Sequence, residues 1–158
     1  MPLARLMTAW LLVLTAGLTA SASGAPDHVV SPYERELQYC VDRTNTYRAS
    51  VKLRALVRSA ALERYADAAA HNDGKAHKPH QYFKKTHGGG IALAENAIPW
   101  WSLSAQGSVQ TIVEQGLAMM WAEGKGGGHY RNLTGRYTTV GCGVFVNGDE
   151  VTVVQAMR

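Results

Sequence analysis

Three segments of the chain repeat their apolar positions at the spacing of an α-helix. The first covers residues 33–50 and places Cys40 on its buried face. The second covers residues 60–72, with Ser59 in the position of an N-cap. The third covers residues 108–123 and has the clearest apolar stripe. That stripe comprises Val109, Ile112, Val113, Gly116, Leu117, Met120 and Trp121.

The C-terminal part of the chain follows the two-residue period of β-strands. Residues 138–146 alternate, and residues 151–157 form the returning strand after a predicted two-residue turn at Asn147-Gly148. A weaker strand is predicted for residues 91–98. Residues 73–90 break the periodicity with glycine and proline, which predicts a loop. Helices followed by an antiparallel sheet predict an α+β fold.

The N-terminal residues have the pattern of a secretory signal peptide. A short segment with Arg5 precedes an uncharged apolar run at residues 6–18, and Ala20-Ser21-Ala22 is an A-x-A cleavage site. We expect residues 1–22 to be the signal peptide, 23–32 a flexible leader and 33–158 a single domain. A retained N-terminal anchor is the alternative, although the run is shorter than the roughly 20 apolar residues that span a bilayer.

Export changes the interpretation of the two cysteines. Cys40 and Cys142 are 102 positions apart, so they form neither a CxxC redox motif nor a zinc knuckle. In an oxidising compartment they most simply pair with each other. Two buried free thiols are the alternative.

Composition and charge exclude several classes of protein. The chain of 158 residues is 46% hydrophobic with a formal net charge of +4, which is typical of a globular protein and not of a disordered one. Its basic residues are scattered and form no stripe for nucleic acid. The sequence contains no GxSxG elbow, phosphate-binding loop, GxGxxG or HExxH motif, so nucleotide binding and standard serine hydrolase chemistry have no support.

Three ionisable residues stand beside breaks in the predicted elements. Glu123 lies in the last turn of the third helix, where the helix dipole disfavours a carboxylate and a compensating partner is expected. Glu95 follows an apolar segment, and His129 follows a run of glycines. A solvated or hydrogen-bonded role is the alternative for each of them.

A set of short motifs resembles the CAP superfamily of cysteine-rich secretory proteins, antigen 5 and pathogenesis-related proteins of class one, whose members contain SCP-like domains. The motifs occur in family order over roughly residues 36–157: Asn45-Thr46-Tyr47-Arg48, Leu62-x-x-Tyr65-Ala66, Glu95-Asn96, Trp121-x-Glu123, Gly128-His129-Tyr130 and Val140-Gly141-Cys142-Gly143. Ala94 stands where the family usually has glycine, and the spacing from Glu123 to His129 is short. The resemblance implies a compact bacterial-type member with a three-layer α-β-α sandwich and a mainly antiparallel central sheet.

The resemblance also implies a cleft lined by two histidines and two glutamates, which in some members bind a divalent metal. Glu95, Glu123 and His129 match directly. We choose His80 as the first histidine because Pro79-His80 opens an aromatic segment, Gln81-Tyr82-Phe83, that can hold it against the core. His77 is the next candidate. Imidazole and carboxylate ligands suit zinc, although the fold does not require a metal.

Three functions follow from these expectations. The first is a secreted or periplasmic, non-catalytic binding module whose ligand is a lipid or sterol, a small molecule or a protein. The alternatives are a metal-assisted hydrolase of peptide or ester bonds and a structural envelope protein. Trp100-Trp101 is either an exposed contact patch or part of the buried packing.

Overall fold

A computed structural model describes residues 31–158 of the chain. The predicted signal peptide at 1–22 and residues 23–30 of the predicted leader therefore lie outside the described residues. Within residues 31–158, no helix has both the length and the apolar character that a bilayer span needs.

The three predicted long helices are present. They are α1 (Glu34–Ser50), α2 (Ala60–Ala76) and α5 (Val109–Ala122). The side chain of Ser59 accepts a backbone N–H group at the start of α2, which confirms it as the N-cap. Ser108 does the same for α5, so it is the N-cap of that helix and not its first residue as predicted. Three short helices were not predicted: α3 (Gln81–Thr86), α4 (Leu103–Gln106) and α6 (Gly128–Leu133).

The described strands form one four-stranded sheet. They are β1 (Val57–Arg58), β2 (Ala94–Ser102), β3 (Thr139–Asn147) and β4 (Glu150–Met157), in the order β1-β3-β4-β2. The pairs β3–β4 and β4–β2 are antiparallel, whereas the short β1 is parallel to β3. The sheet is therefore mixed and mainly antiparallel, as the resemblance implied.

Each face of the sheet is covered by helices. Alternate residues of β3 and β4, including Cys142 and Val153, pack with α1 and α5, while Val154 and Ala156 pack with α2. Gly141 and Gly143 face α2, and a Cβ atom at either position would overlap the α2 backbone. These glycines let α2 lie directly on the sheet, which completes the expected three-layer sandwich.

The Cys40–Cys142 disulfide joins the outer layer to the sheet. It connects α1 to β3, and both cysteines are almost fully buried. The predicted pairing is confirmed, and the alternative of two free thiols is wrong.

The segment predicted as a loop at residues 73–90 is partly helical. The helix α2 continues through Gly74, where a Cβ atom would overlap the ring of Phe145. It ends at His77, whose left-handed φ of 47° stops the helix. The sequence pattern did not predict this extension because glycine is a poor helix former. Here tertiary contacts override that low propensity.

Two boundaries near the sheet also differ from the prediction. The strand expected at 91–98 is β2, which begins at Ala94 and continues past an irregularity between Ile98 and Trp101. The partly buried Trp101 packs against the core, as expected if the tryptophan pair belongs to the buried packing and not to an exposed patch. Asn147 pairs with Glu150, so the hairpin turn consists of Gly148 and Asp149, one residue later than predicted.

Candidate functional site

His80 and Glu95 form the first of two histidine–glutamate pairs. The Nδ1 atom of His80 lies 2.8 Å from Oε1 of Glu95, whose side chain is 1% exposed. The other oxygen, Oε2, is buried and has no hydrogen-bond partner among residues 31–158. Burial raises the pKa of Glu95, and the hydrogen bond to His80 opposes that rise.

The backbone around His80 is fixed by its neighbours. His80 has a left-handed φ of 62° just before α3. The buried Asp73 accepts the backbone N–H of Tyr82 at 2.8 Å, which ties the start of α3 to the end of α2. Tyr82 and Phe83 pack against the α2 side of the core, as the sequence argument for His80 expected.

Glu123 and His129 form the second pair. Their side chains meet at 2.5 Å between Oε1 and Nδ1, and the backbone N–H of His129 donates to Oε2 at 3.1 Å. The hydrogen bond from His129 lowers the pKa of Glu123, so the glutamate at the end of α5 has the partner that the helix dipole argument required. Gly127 leaves the necessary room, because a Cβ atom there would overlap the Glu123 side chain.

An aromatic stack joins α1, α5 and α6 beside this second pair. The rings of Tyr47 and Trp121 are stacked with centroids 4.8 Å apart, and Trp121 contacts Tyr130 at 4.7 Å. Trp121 lies two residues before Glu123, and Tyr130 directly follows His129. The stack therefore holds the end of α5 and the start of α6 together.

Arg48 holds the other end of α6. Its guanidinium donates to the carbonyl oxygens of Leu133 at 2.8 Å and Gly135 at 3.0 Å, and its Nε donates to that of Arg54 at 2.9 Å. Arg48 is 3% exposed, and burial lowers its pKa. A buried cation thus satisfies carbonyl groups where α6 ends.

A chain of buried polar side chains connects α6 to both strands beside it. Gln155 donates to Thr44 at 2.6 Å and accepts from Asn96 at 3.0 Å. Asn132 donates to the side-chain oxygen of Asn96 at 2.9 Å and to the backbone oxygen of Glu95 at 3.1 Å. Because Asn132 lies one helical turn after His129, α6 links the two histidine–glutamate pairs.

Comparison with known families shows the family of the domain. The sequence profile of the CAP family, described as the cysteine-rich secretory protein family, matches residues 41–157. The chain belongs to the CAP family. No curated protein matches the sequence.

Solved structures share the CAP fold. The crystal structure of NaASP2 with Zn²⁺ has a TM-score of 0.60 and 19% identity, and the match covers 85% of this chain and 83% of that one. An extracellular protein containing a SCP domain from Bacillus anthracis str. Ames has a TM-score of 0.50 and 16% identity. The match covers 87% of this chain but only 45% of the Bacillus protein. At these identities the likeness shows the fold alone.

The other loop histidine of this CAP domain has a different partner. The Nε2 atom of His77 lies 2.7 Å from Oε2 of Glu150, and the pair is exposed. His77 also contacts the ring of Trp100 edge-on. His80, and not His77, therefore faces Glu95.

The four candidate residues form two pairs in the CAP domain. Within residues 31–158, no three His, Cys, Asp or Glu side chains are close enough to hold one metal ion. The convergence of His80, Glu95, Glu123 and His129 on a single ion stays a prediction.

The residues that support α6 were not predicted to have this role. Asn132 and Gln155 were not among the predicted site residues, and Arg48 was part of a motif only. Gln155 had a signal, since it interrupts the apolar residues of the strand at 151–157. A buried polar residue in such a strand needs a hydrogen-bond partner.

Proposed function

We propose that this CAP domain is an extracellular or periplasmic, non-catalytic binding module with a cleft that holds a divalent cation, for which Zn²⁺ is the best fit. The supporting observation is that His80 and His129 each direct Nδ1 to a carboxylate. The Nε2 atom of each ring has no hydrogen bond to any residue in 31–158. Histidines that bind metal through one ring nitrogen typically hold a carboxylate with the other.

The chemistry of the four side chains fits such an ion. His80 and His129 would bind it through Nε2, while Glu95 and Glu123 orient the rings and supply negative charge. The Oε2 atom of Glu95 is buried without a hydrogen-bond partner among residues 31–158, so this carboxylate keeps one oxygen free to act as a donor. A bound cation would connect the segment before α3 to α6. Nitrogen and oxygen donors of this kind are those that zinc prefers.

Zinc is expected to stabilise the mature domain. At a free zinc concentration 100 times the Kd, binding adds ~2.7 kcal/mol to the free energy of unfolding. For a domain of this size that is a rise of roughly 10 °C in Tm, which differential scanning fluorimetry measures. We expect His80→Ala and His129→Ala each to remove most of this rise.

His77→Ala is the matched control for the zinc experiment. His77 also has a left-handed φ and a carboxylate partner, but that partner is Glu150. The control variant should keep the full zinc response. Equal responses in all three variants, or no response in the wild type, would contradict the proposed metal site.

A hydrolase is the second candidate because Glu95 is a buried carboxyl group whose pKa is raised by burial, and its side chain contacts His80, a proposed ligand of the ion. Such a group is suited to act as a general base toward water. For a binding module we expect no turnover of pooled peptide and ester substrates above that of the Glu95→Gln and Glu123→Gln variants, with or without zinc. Turnover that Glu95→Gln abolishes would favour the hydrolase.

A further inference from the structure

The segment between Asp73 and Glu95 is strongly basic. Residues 74–94 contain four lysines and no aspartate or glutamate, so their formal charge of +4 equals that of the whole chain. The four are Lys75, Lys78, Lys84 and Lys85, and all are exposed. In the sequence they looked like part of a scattered basic surface.

These lysines have no internal partners. No ion pair or hydrogen bond joins any of the four ammonium groups to a residue in 31–158. Arg58 shows the contrast, because it is paired with both Glu34 and Glu63. Unpaired like charges close together repel one another, and an anion would relieve that repulsion.

The fold places three of these lysines around one open groove. Lys78, Pro79, Gln81, Lys84 and Lys85 line it, and its volume is about 500 Å³. We call this the lysine groove. It is formed where the turn after α2 meets α3, a geometry that linear spacing did not reveal.

We propose that the lysine groove binds a ligand with two or more phosphate groups, either free in solution or as a lipid headgroup. Three lysines that line one groove carry a combined charge of +3, which matches several phosphate charges better than a single carboxylate. Lysine binds phosphate as a point charge and needs no fixed fork geometry, which suits an open groove. The groove does not require a metal, so the inference is independent of the proposed cation site.

The test uses two probes in buffer that contains EDTA. Isothermal titration calorimetry measures binding of inorganic triphosphate. Vesicle sedimentation compares phosphatidylcholine with phosphatidylcholine containing phosphatidylinositol 4,5-bisphosphate. Binding of triphosphate supports a soluble ligand, and binding only to the phosphoinositide vesicles supports a lipid headgroup. In either case affinity should fall as salt rises from low to high ionic strength.

Paired variants make the test specific to the groove. The triple substitution Lys78→Gln, Lys84→Gln and Lys85→Gln should weaken binding at least tenfold. The control triple Arg35→Gln, Arg64→Gln and Arg136→Gln removes the same charge from exposed positions outside the groove and should keep the affinity. All six side chains are exposed, so unchanged Tm values would verify folding. Binding of neither probe, or equal weakening by both triples, would overturn the proposal.

Discussion

Removing the Cys40–Cys142 disulfide is expected to lower the free energy of unfolding by roughly 4–5 kcal/mol. The bond closes a loop over a sequence separation of 102 residues. In the unfolded chain, the cross-link excludes many conformations by closing so long a loop. Without the bond the unfolded chain regains those conformations, which favours unfolding. An effect of this size is a large fraction of the stability of a typical domain.

The double variant Cys40→Ala, Cys142→Ala measures this effect by urea unfolding under non-reducing conditions. Reduced wild-type protein provides an independent comparison, because it lacks the bond but keeps the sulfur atoms that fill the core. Reductant should destabilise the wild type and leave the double variant unchanged. If the reduced and oxidised wild types unfold at the same urea concentration, the disulfide does not stabilise the fold.

The main layers of the fold could be predicted from the sequence because they depend on the local pattern of apolar and polar residues. The periodicity of α1, α2 and α5 and the alternation of β3 are visible without tertiary information. Gly141 and Gly143 can also be seen in the sequence, but the sequence does not show why glycine is needed at these two positions. Only the packing of α2 on the sheet explains why no side chain fits there.

The short helices could not be predicted for a physical reason. A six-residue helix such as α6 has too few turns to show a periodic face, and its isolated stability is low. Its stability comes from side chains that are distant in the sequence, including Arg48 and Asn96. Where the chain folds through tertiary contacts of this kind, local pattern contains little information.

The histidine assignment shows the same limit. His77 and His80 lie in one short connection, and both have left-handed φ values. Their partners, Glu150 and Glu95, belong to different strands, so the register of the sheet decides which histidine meets which carboxylate. The aromatic residues after His80 pointed to the histidine that faces Glu95, but they could not reveal the contact between His77 and Glu150.

Arg48→Met is expected to lower the free energy of unfolding by about 3 kcal/mol or more. Methionine keeps much of the aliphatic volume but removes every donor. The backbone oxygens of Arg54, Leu133 and Gly135 would then lose their charged partner, and the hydrogen bond to Leu133 is buried. Hydrogen bonds to charged groups contribute about 1.5–3 kcal/mol each, and the cost of the buried charge offsets part of their sum.

The substitution should also reach the candidate site, because Arg48 fixes the end of the helix that begins beside His129. With that end free, Asn132 loses its position against Asn96, and the zinc-induced rise in Tm should shrink along with the stability.

Arg35→Met is the matched control, since Arg35 is an exposed arginine on the same helix, α1. Arg48→Lys retains the charge but cannot reach three carbonyl groups at once, so it should recover only part of the loss. Urea unfolding of the four proteins measures the stabilities, and fluorimetry with zinc measures the response. If Arg48→Met is as stable as Arg35→Met, the buried guanidinium does not hold α6 in place.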